Sequence, residues 1–151
     1  MPSVFLSPSL QEYNPYVNGG NEEYYMNLIA DEMVPILTSS GIEVGRNSPE
    51  QTLSQAIAQS NAGNYNLHLA IHSNAAPPSN AGNVKGADIY YSAASSQGTR
   101  AATIFANNYK LIYPYPELVK TIPTTSLAEI VRTKAPAILI EVGYHDNPEE
   151  A

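Results

Sequence analysis

Three side chains suited to metal or acid–base chemistry close two short apolar runs of this chain. Residues 67–75 read LHLAIHSNA and residues 136–147 read PAILIEVGYHDN. His72 ends the first run, and Glu141 with His145 ends the second. Ligands in open α/β sheets collect outside the carboxyl ends of the strands, so polar residues there are stronger candidates than polar residues in mid-strand. His72, a glutamate at the start of the first helix and Glu141 are the residue types of a zinc hydrolase. Such enzymes take three protein ligands from imidazole and carboxylate, leave one position to water and keep a carboxylate nearby as general base. A lone histidine is commonly a hydrogen-bonded structural residue, but the polar turn Ser73–Asn74 directly after His72 favours a site. A carboxylate closing an aliphatic run is costly to bury unpaired, so Glu141 calls for a partner or a metal; helix capping is the plainer alternative. His68 precedes His72 by four residues on the same strand face, a separation of about 13 Å, too far to share one ion. It reads as structural.

The elements that must position these groups follow from the pattern. VFLS at 4–7 reads as a first strand, stopped by Pro8 and followed by a Tyr-, Asn-, Pro- and Gly-rich loop over 9–21. A helix is predicted from about Glu22 to Ser40, with Met26, Ile29, Ala30, Met33, Ile36 and Leu37 at helical spacing, Asn21 as N-cap and Gly41 as C-cap. Pro35 is placed to kink it. A strand at 42–44, a helix at 49–62 capped by Ser48, a strand at 66–72, a long polar loop, a strand at 87–92 and a helix at about 95–111 come next. Pro114, Pro116 and Pro123 mark 112–125 as irregular, and strands near 126–131 and at 137–143 complete the set. Asn147–Pro148 looks like a helix cap and first turn, and a final helix is expected to be incomplete at Ala151. Alternating strands and helices imply one α/β domain over 1–151: a mostly parallel twisted sheet of about six strands with helices on both faces.

Composition narrows the function classes. At 151 residues, 43% hydrophobic and 14% charged, the chain can bury a real core. It has no cysteine, so any metal must be held by His, Asp, Glu or weaker oxygen donors. Fourteen acidic residues against seven basic give a formal net charge of −7, the wrong balance for a nucleic-acid binder. No apolar stretch reaches the roughly 18 residues of a membrane span, and MPSVFLSPSL lacks the features of a signal peptide. No glycine-rich loop follows the first strand, which argues against a nucleotide-binding domain. Eleven tyrosines, many in the 13–25 and 109–115 segments, could stack on sugar rings but as readily cover apolar surface.

Four motifs occur in order along the chain: NEEYYMNLIA at 21–30, HSNA at 72–75, GADIYYS at 86–92 and LAEIVRTKAPAILIEVGYHDN at 127–147. Together they resemble the N-acetylmuramoyl-L-alanine amidases of the amidase-3 type, zinc-dependent hydrolases of the amide joining muramic acid to L-alanine in bacterial peptidoglycan. The resemblance implies an extracytoplasmic cell-wall enzyme with one Zn²⁺ ion, with Glu141 as the catalytic carboxylate and His72 as a ligand. The first-helix motif places its ligand glutamate four positions before an Asn-Leu pair, which selects Glu23 over Glu22. Asn74 and Arg132 fall at positions implied to lie near substrate; a solvated strand-end charge is the plainer reading of Arg132.

The chain departs from the family at one point. The usual first ligand is a histidine in an HGG motif after strand one, and SPSLQEYN here contains none. His145 filling the vacancy, coordination through the carbonyl of Gln11, and a degenerate site that binds peptidoglycan without cutting are the three readings this leaves open.

Overall fold

The computed structural model describes residues 1–151, and its centre is one six-stranded sheet. The elements are β1 (Ser3–Pro8), α1 (Glu22–Ser39), β2 (Glu43–Arg46), α2 (Leu53–Ala62), β3 (Leu67–Asn74), β4 (Ala87–Tyr91), α3 (Ser96–Tyr109), β5 (Val119–Pro123), α4 (Ala128–Val131) and β6 (Ala137–Tyr144). The strand order is β2-β1-β3-β6-β4-β5. All neighbours are parallel except β4 and β6, which run antiparallel. The expected α/β architecture, mostly parallel with about six strands, is the one observed.

Strand alternation divides the apolar residues into two layers. Val4, Leu6, Leu69, Ile71, Ile89, Ile138 and Ile140 pack with Met26 and Ala30 of α1 and Ala102 and Ala106 of α3. On the opposite face Ala70, Ala137 and Leu139 pack with Ile130 of α4. Burying one Leu or Ile side chain is worth about 1.5–3 kcal/mol, so the first layer holds the domain together. The second face is thinner and carries the polar groups: Ser7, His68 and Glu129 are all buried there.

Four local expectations are corrected. The strand expected near 126–131 is the short helix α4, and the fifth strand is Val119–Pro123, inside the segment expected to be irregular. Proline is tolerated there because β5 lies at the sheet edge and needs no donor on its outer side. Helix α2 starts at Leu53 and is capped by Thr52 rather than Ser48, since Thr52 and Gln55 form a reciprocal capping box that satisfies two otherwise orphan N–H groups. After Asn147 the chain makes a single α-turn, Ala151 N donating to the Asn147 carbonyl at 2.9 Å. The cap of α1 is as read: Asn21 Oδ1 accepts from Tyr24 N at 2.8 Å. No helix is long and apolar enough to cross a membrane.

Candidate functional site

The sheet registers place three ionisable residues in one row. His72 of β3 stands opposite Glu141 of β6, and Glu141 stands opposite Asp88 of β4. Directly paired residues point to the same side, at inter-strand spacings of about 4.8 Å. His72 and Glu141 sit at the carboxyl ends of their strands. Asp88 opens a strand running the other way, which brings it to the same end of the sheet.

The first helix supplies the fourth group. Glu22 is completely buried and reaches over the strand ends, its Oε1 accepting from Ser73 N at 2.9 Å and lying 3.3 Å from His72 Nδ1. Its Oε2 accepts from Asn14 Nδ2 at 2.8 Å, and Asn14 also donates to Gln11 Oε1 at 2.8 Å. The other ring nitrogen of His72, Nε2, donates to Glu129 Oε2 at 2.9 Å. Glu129 is buried in α4; its Oε1 accepts from His68 Nε2 at 3.0 Å and from the Ser7 hydroxyl. His68 Nδ1 in turn meets Ser60 Oγ at 2.8 Å. A continuous polar chain therefore runs from Gln11 through Asn14, Glu22, His72, Glu129 and His68 to Ser60.

The electrostatics follow from this packing. Burial alone would strip the proton from His72, but the hydrogen bonds to Glu129 and Glu22 overcome it and hold the imidazole at about 10. Burial would raise Glu129, yet the hydrogen bonds from His68 and His72 hold its carboxyl down at about 2. Glu22 is lowered in the same way: His72, Asn14 and Ser73 N–H outweigh its desolvation. Glu141 is the exception. Burial, with the neighbouring Glu22 and Asp88 charges adding to it against the attraction of His72, pushes its carboxyl up to about 7. Its Oε2 is buried with no protein hydrogen-bond partner. A carboxyl near 7, in one row with His72, is suited to taking and returning a proton at neutral pH.

The structure separates the two adjacent glutamates. Glu22, not Glu23, is brought to His72. Glu23 is one residue further around α1, in a polar cleft with Asn27, Asp31 and Arg46, where desolvation and the charges of Glu12 and Glu50 raise its carboxyl. The first-turn geometry decides it: Glu22, Met26 and Ala30 repeat at helical spacing and are the three buried residues of α1. Glu22→Gln is accordingly expected to destabilise the metal-free protein by about 1–3 kcal/mol, because the buried Ser73 N–H, the half-buried Asn14 amide and His72 lose their charged acceptor. Glu23→Gln should stay within about 0.5 kcal/mol of the parent. Urea unfolding of the two variants side by side checks this.

His145 is not brought to the cluster either. Its Nδ1 meets Ser73 Oγ at 2.9 Å and its ring stacks on Tyr16 at 5.5 Å. It lines an apolar cavity of about 460 Å³ with Ile29, Met33, Ile140 and Val142, on the core side of the sheet. Asn74 follows His72 by two residues and is tied locally, its carbonyl accepting from His145 N at 2.8 Å. Arg132 caps α4 at the surface, where its carbonyl accepts from Asn61 Nδ2 at 2.9 Å. Beside His72, a cavity of about 260 Å³ opens between the loop after β1 and the start of α2, with Gln11, Tyr13, Thr52 and Glu129 in its wall.

A zinc ion can be tested against this donor set. No three His, Cys, Asp or Glu side chains converge closely enough to share one ion. Two do fit. Nitrogen and oxygen donors at 2.0–2.1 Å from a tetrahedral zinc lie about 3.3–3.4 Å apart, and His72 Nδ1 and Glu22 Oε1 are separated by 3.3 Å. The orphaned Glu141 Oε2 beside them is a further mark of a site built for a group that needs a carboxylate.

A protein-family model described as N-acetylmuramoyl-L-alanine amidase matches residues 9–151. No curated protein matches the chain. Among solved structures, an N-acetylmuramoyl-L-alanine amidase from Clostridium difficile 630 is similar at 18% identity and a TM-score of 0.81, over 99% of this chain and 83% of that one. AmiC2 of Nostoc punctiforme, also an N-acetylmuramoyl-L-alanine amidase, is similar at 18% identity and 0.79, over 98% and 82%. The catalytic domain of the CD27L endolysin targeting Clostridia difficile is similar at 20% identity and 0.76, over 99% and 86%.

Proposed function

Since the chain belongs to the N-acetylmuramoyl-L-alanine amidase family, we propose that it hydrolyses the amide between N-acetylmuramic acid and L-alanine in peptidoglycan, outside the cytoplasm, with one zinc ion. The observation that carries this reading is the meeting of His72, Glu22 and Glu141 at one end of the sheet. In it, His72 through Nδ1 and Glu22 hold the ion. Gln11 is the third protein donor: it is tied to Glu22 through Asn14 and shares a cavity wall with His72. His145 is left to Ser73. A zinc ion held there would polarise the scissile carbonyl and acidify a water molecule.

The protein's own groups do the rest. Glu141 takes a proton from the attacking water as the new C–O bond forms, then gives it to the amine as the C–N bond breaks, so that the nitrogen leaves neutral. The low-dielectric setting that lifts the Glu141 carboxyl also makes it a willing acid for the second transfer. Asp88, raised by its own burial, crowds Glu141 from β4 and keeps that carboxyl high. The cavity between the β1 loop and α2 admits an extended segment of substrate alongside His72.

Incubation with purified peptidoglycan should release new L-alanine amino termini. Chelation should abolish the release and stoichiometric zinc should restore it. Co-sedimentation with insoluble wall, with no release in any metal state, would instead make the protein a wall-binding domain that does not cut.

A further inference from the structure

We propose that Glu129 is a positioning residue that sets the ring and tautomer of His72 for metal ligation, with Ser7 and His68 as its supports. The inference rests on the reading of His72 as a ligand. Glu129 Oε2 lies 2.9 Å from His72 Nε2 and Glu22 Oε1 lies 3.3 Å from Nδ1, so when an ion takes the Nδ1 lone pair the remaining ring proton stays on Nε2, donated to Glu129. Metal-ligating histidines characteristically donate their second nitrogen to a carboxylate in this way.

The carboxylate is itself held. It accepts from His72 Nε2, His68 Nε2 and the Ser7 hydroxyl, donors carried by two different strands, while α4 supplies the acid. His68 is completely buried and stacks on Phe5 at 5.4 Å. Its Nδ1 lies 2.8 Å from Ser60 Oγ, which as donor leaves Nε2 carrying the proton that Glu129 receives. Each member has one consistent role once an ion replaces the proton between His72 Nδ1 and Glu22, and with Ser60 as donor only the Nε2-protonated form of His68 fits. His68 and His72 are too far apart to bind one ion, but a single carboxylate spans them. Glu129 and His68 lie outside the segment 7–14 where the family's first histidine would stand, and Ser7, the first residue of that segment, is still within β1.

The test uses the full chain loaded with Zn²⁺, or with Co²⁺ as a spectroscopic substitute. Glu129→Gln should weaken zinc affinity by about 10–100-fold in competition with a chromogenic chelator and shift the cobalt d–d bands. In zinc-loaded parent protein, long-range ¹H–¹⁵N spectra of the three histidines should show His72 protonated on Nε2. Ser7→Ala, which removes one support and leaves both rings untouched, should weaken zinc affinity by about three- to tenfold and serves if Glu129→Gln fails to fold. Unchanged affinity and an unchanged cobalt spectrum in Glu129→Gln, alongside loss of zinc in Glu22→Gln, would overturn the role of Glu129 while leaving the metal site standing. A His72 proton on Nδ1 would overturn it as well. A parent protein that binds no zinc at all would overturn both readings.

Discussion

Glu141→Gln is expected to lower amidase turnover by about 10²–10⁴-fold and, in the metal-free protein above neutral pH, to raise stability. The loss follows from removing the proton acceptor, whose contribution to such reactions has that size. The gain follows from linkage. The folded carboxyl sits at about 7 against an ordinary value of 4.5, so between those values the folded chain keeps a proton that the unfolded chain has lost. Stability therefore falls as pH rises from about 4.5 to 7, and the deficit is complete above 7. At about 1.4 kcal/mol per unit, glutamine at this position should recover on the order of 3 kcal/mol at about pH 8 and almost nothing at about pH 4. Thermal unfolding of parent and variant at the two pH values, together with turnover on peptidoglycan, reads both halves. An inactive variant that is also less stable at pH 8 would mean that Glu141 is held by a partner rather than strained.

His72→Ala should abolish metal binding and destabilise the metal-free chain by about 3–5 kcal/mol near pH 6. The variant leaves Glu22 and Glu129 as buried carboxylates facing a void without the cation between them. The pH dependence has a definite sign. The imidazole is held at about 10 when folded against about 6.5 when unfolded, so its pairing stabilises fully below 6.5 and is lost as pH rises toward 10. The gap between parent and variant should therefore narrow steadily across that range in denaturant titrations. A gap that stays constant would mean that shape, not charge, is what the histidine contributes.

Much of this was legible in the chain, and the failures are instructive. His72 and Glu141 could be found because each terminates an aliphatic strand, where a polar side chain has nowhere to go but the sheet's end. The motif's spacing points to Glu23, whereas the helix's own period points to Glu22. The apolar series through Met26 and Ala30 already points back to Glu22, and burial follows that series. Glu129 was hidden by a misread segment. A Leu-Ala-Glu-Ile-Val stretch between prolines looks like a strand with one stray charge, and only the packing of a four-residue helix against β6 turns that charge inward. The one signal was its position: an acid between Leu127 and Ile130, with two histidines elsewhere needing partners. His68 was rightly read as structural, but its four-residue offset from His72 conceals that one carboxylate can touch both rings.

The reversed direction of β4 has a consequence for how such a protein can diversify. Because β4 departs from the same end of the sheet at which β3 finishes, residues 75–86 join them without crossing the domain and stand directly beside the reactive row. That segment is pinned from beyond β6, by Asp146 accepting from Ala76 N and Gly82 N at 3.3 and 3.1 Å and by Asn147 donating to the Val84 carbonyl at 3.0 Å. Grafting a different sequence between those anchor points would reshape the surface at that end of the sheet while the strands, and the row of His72, Glu141 and Asp88, stay where they are.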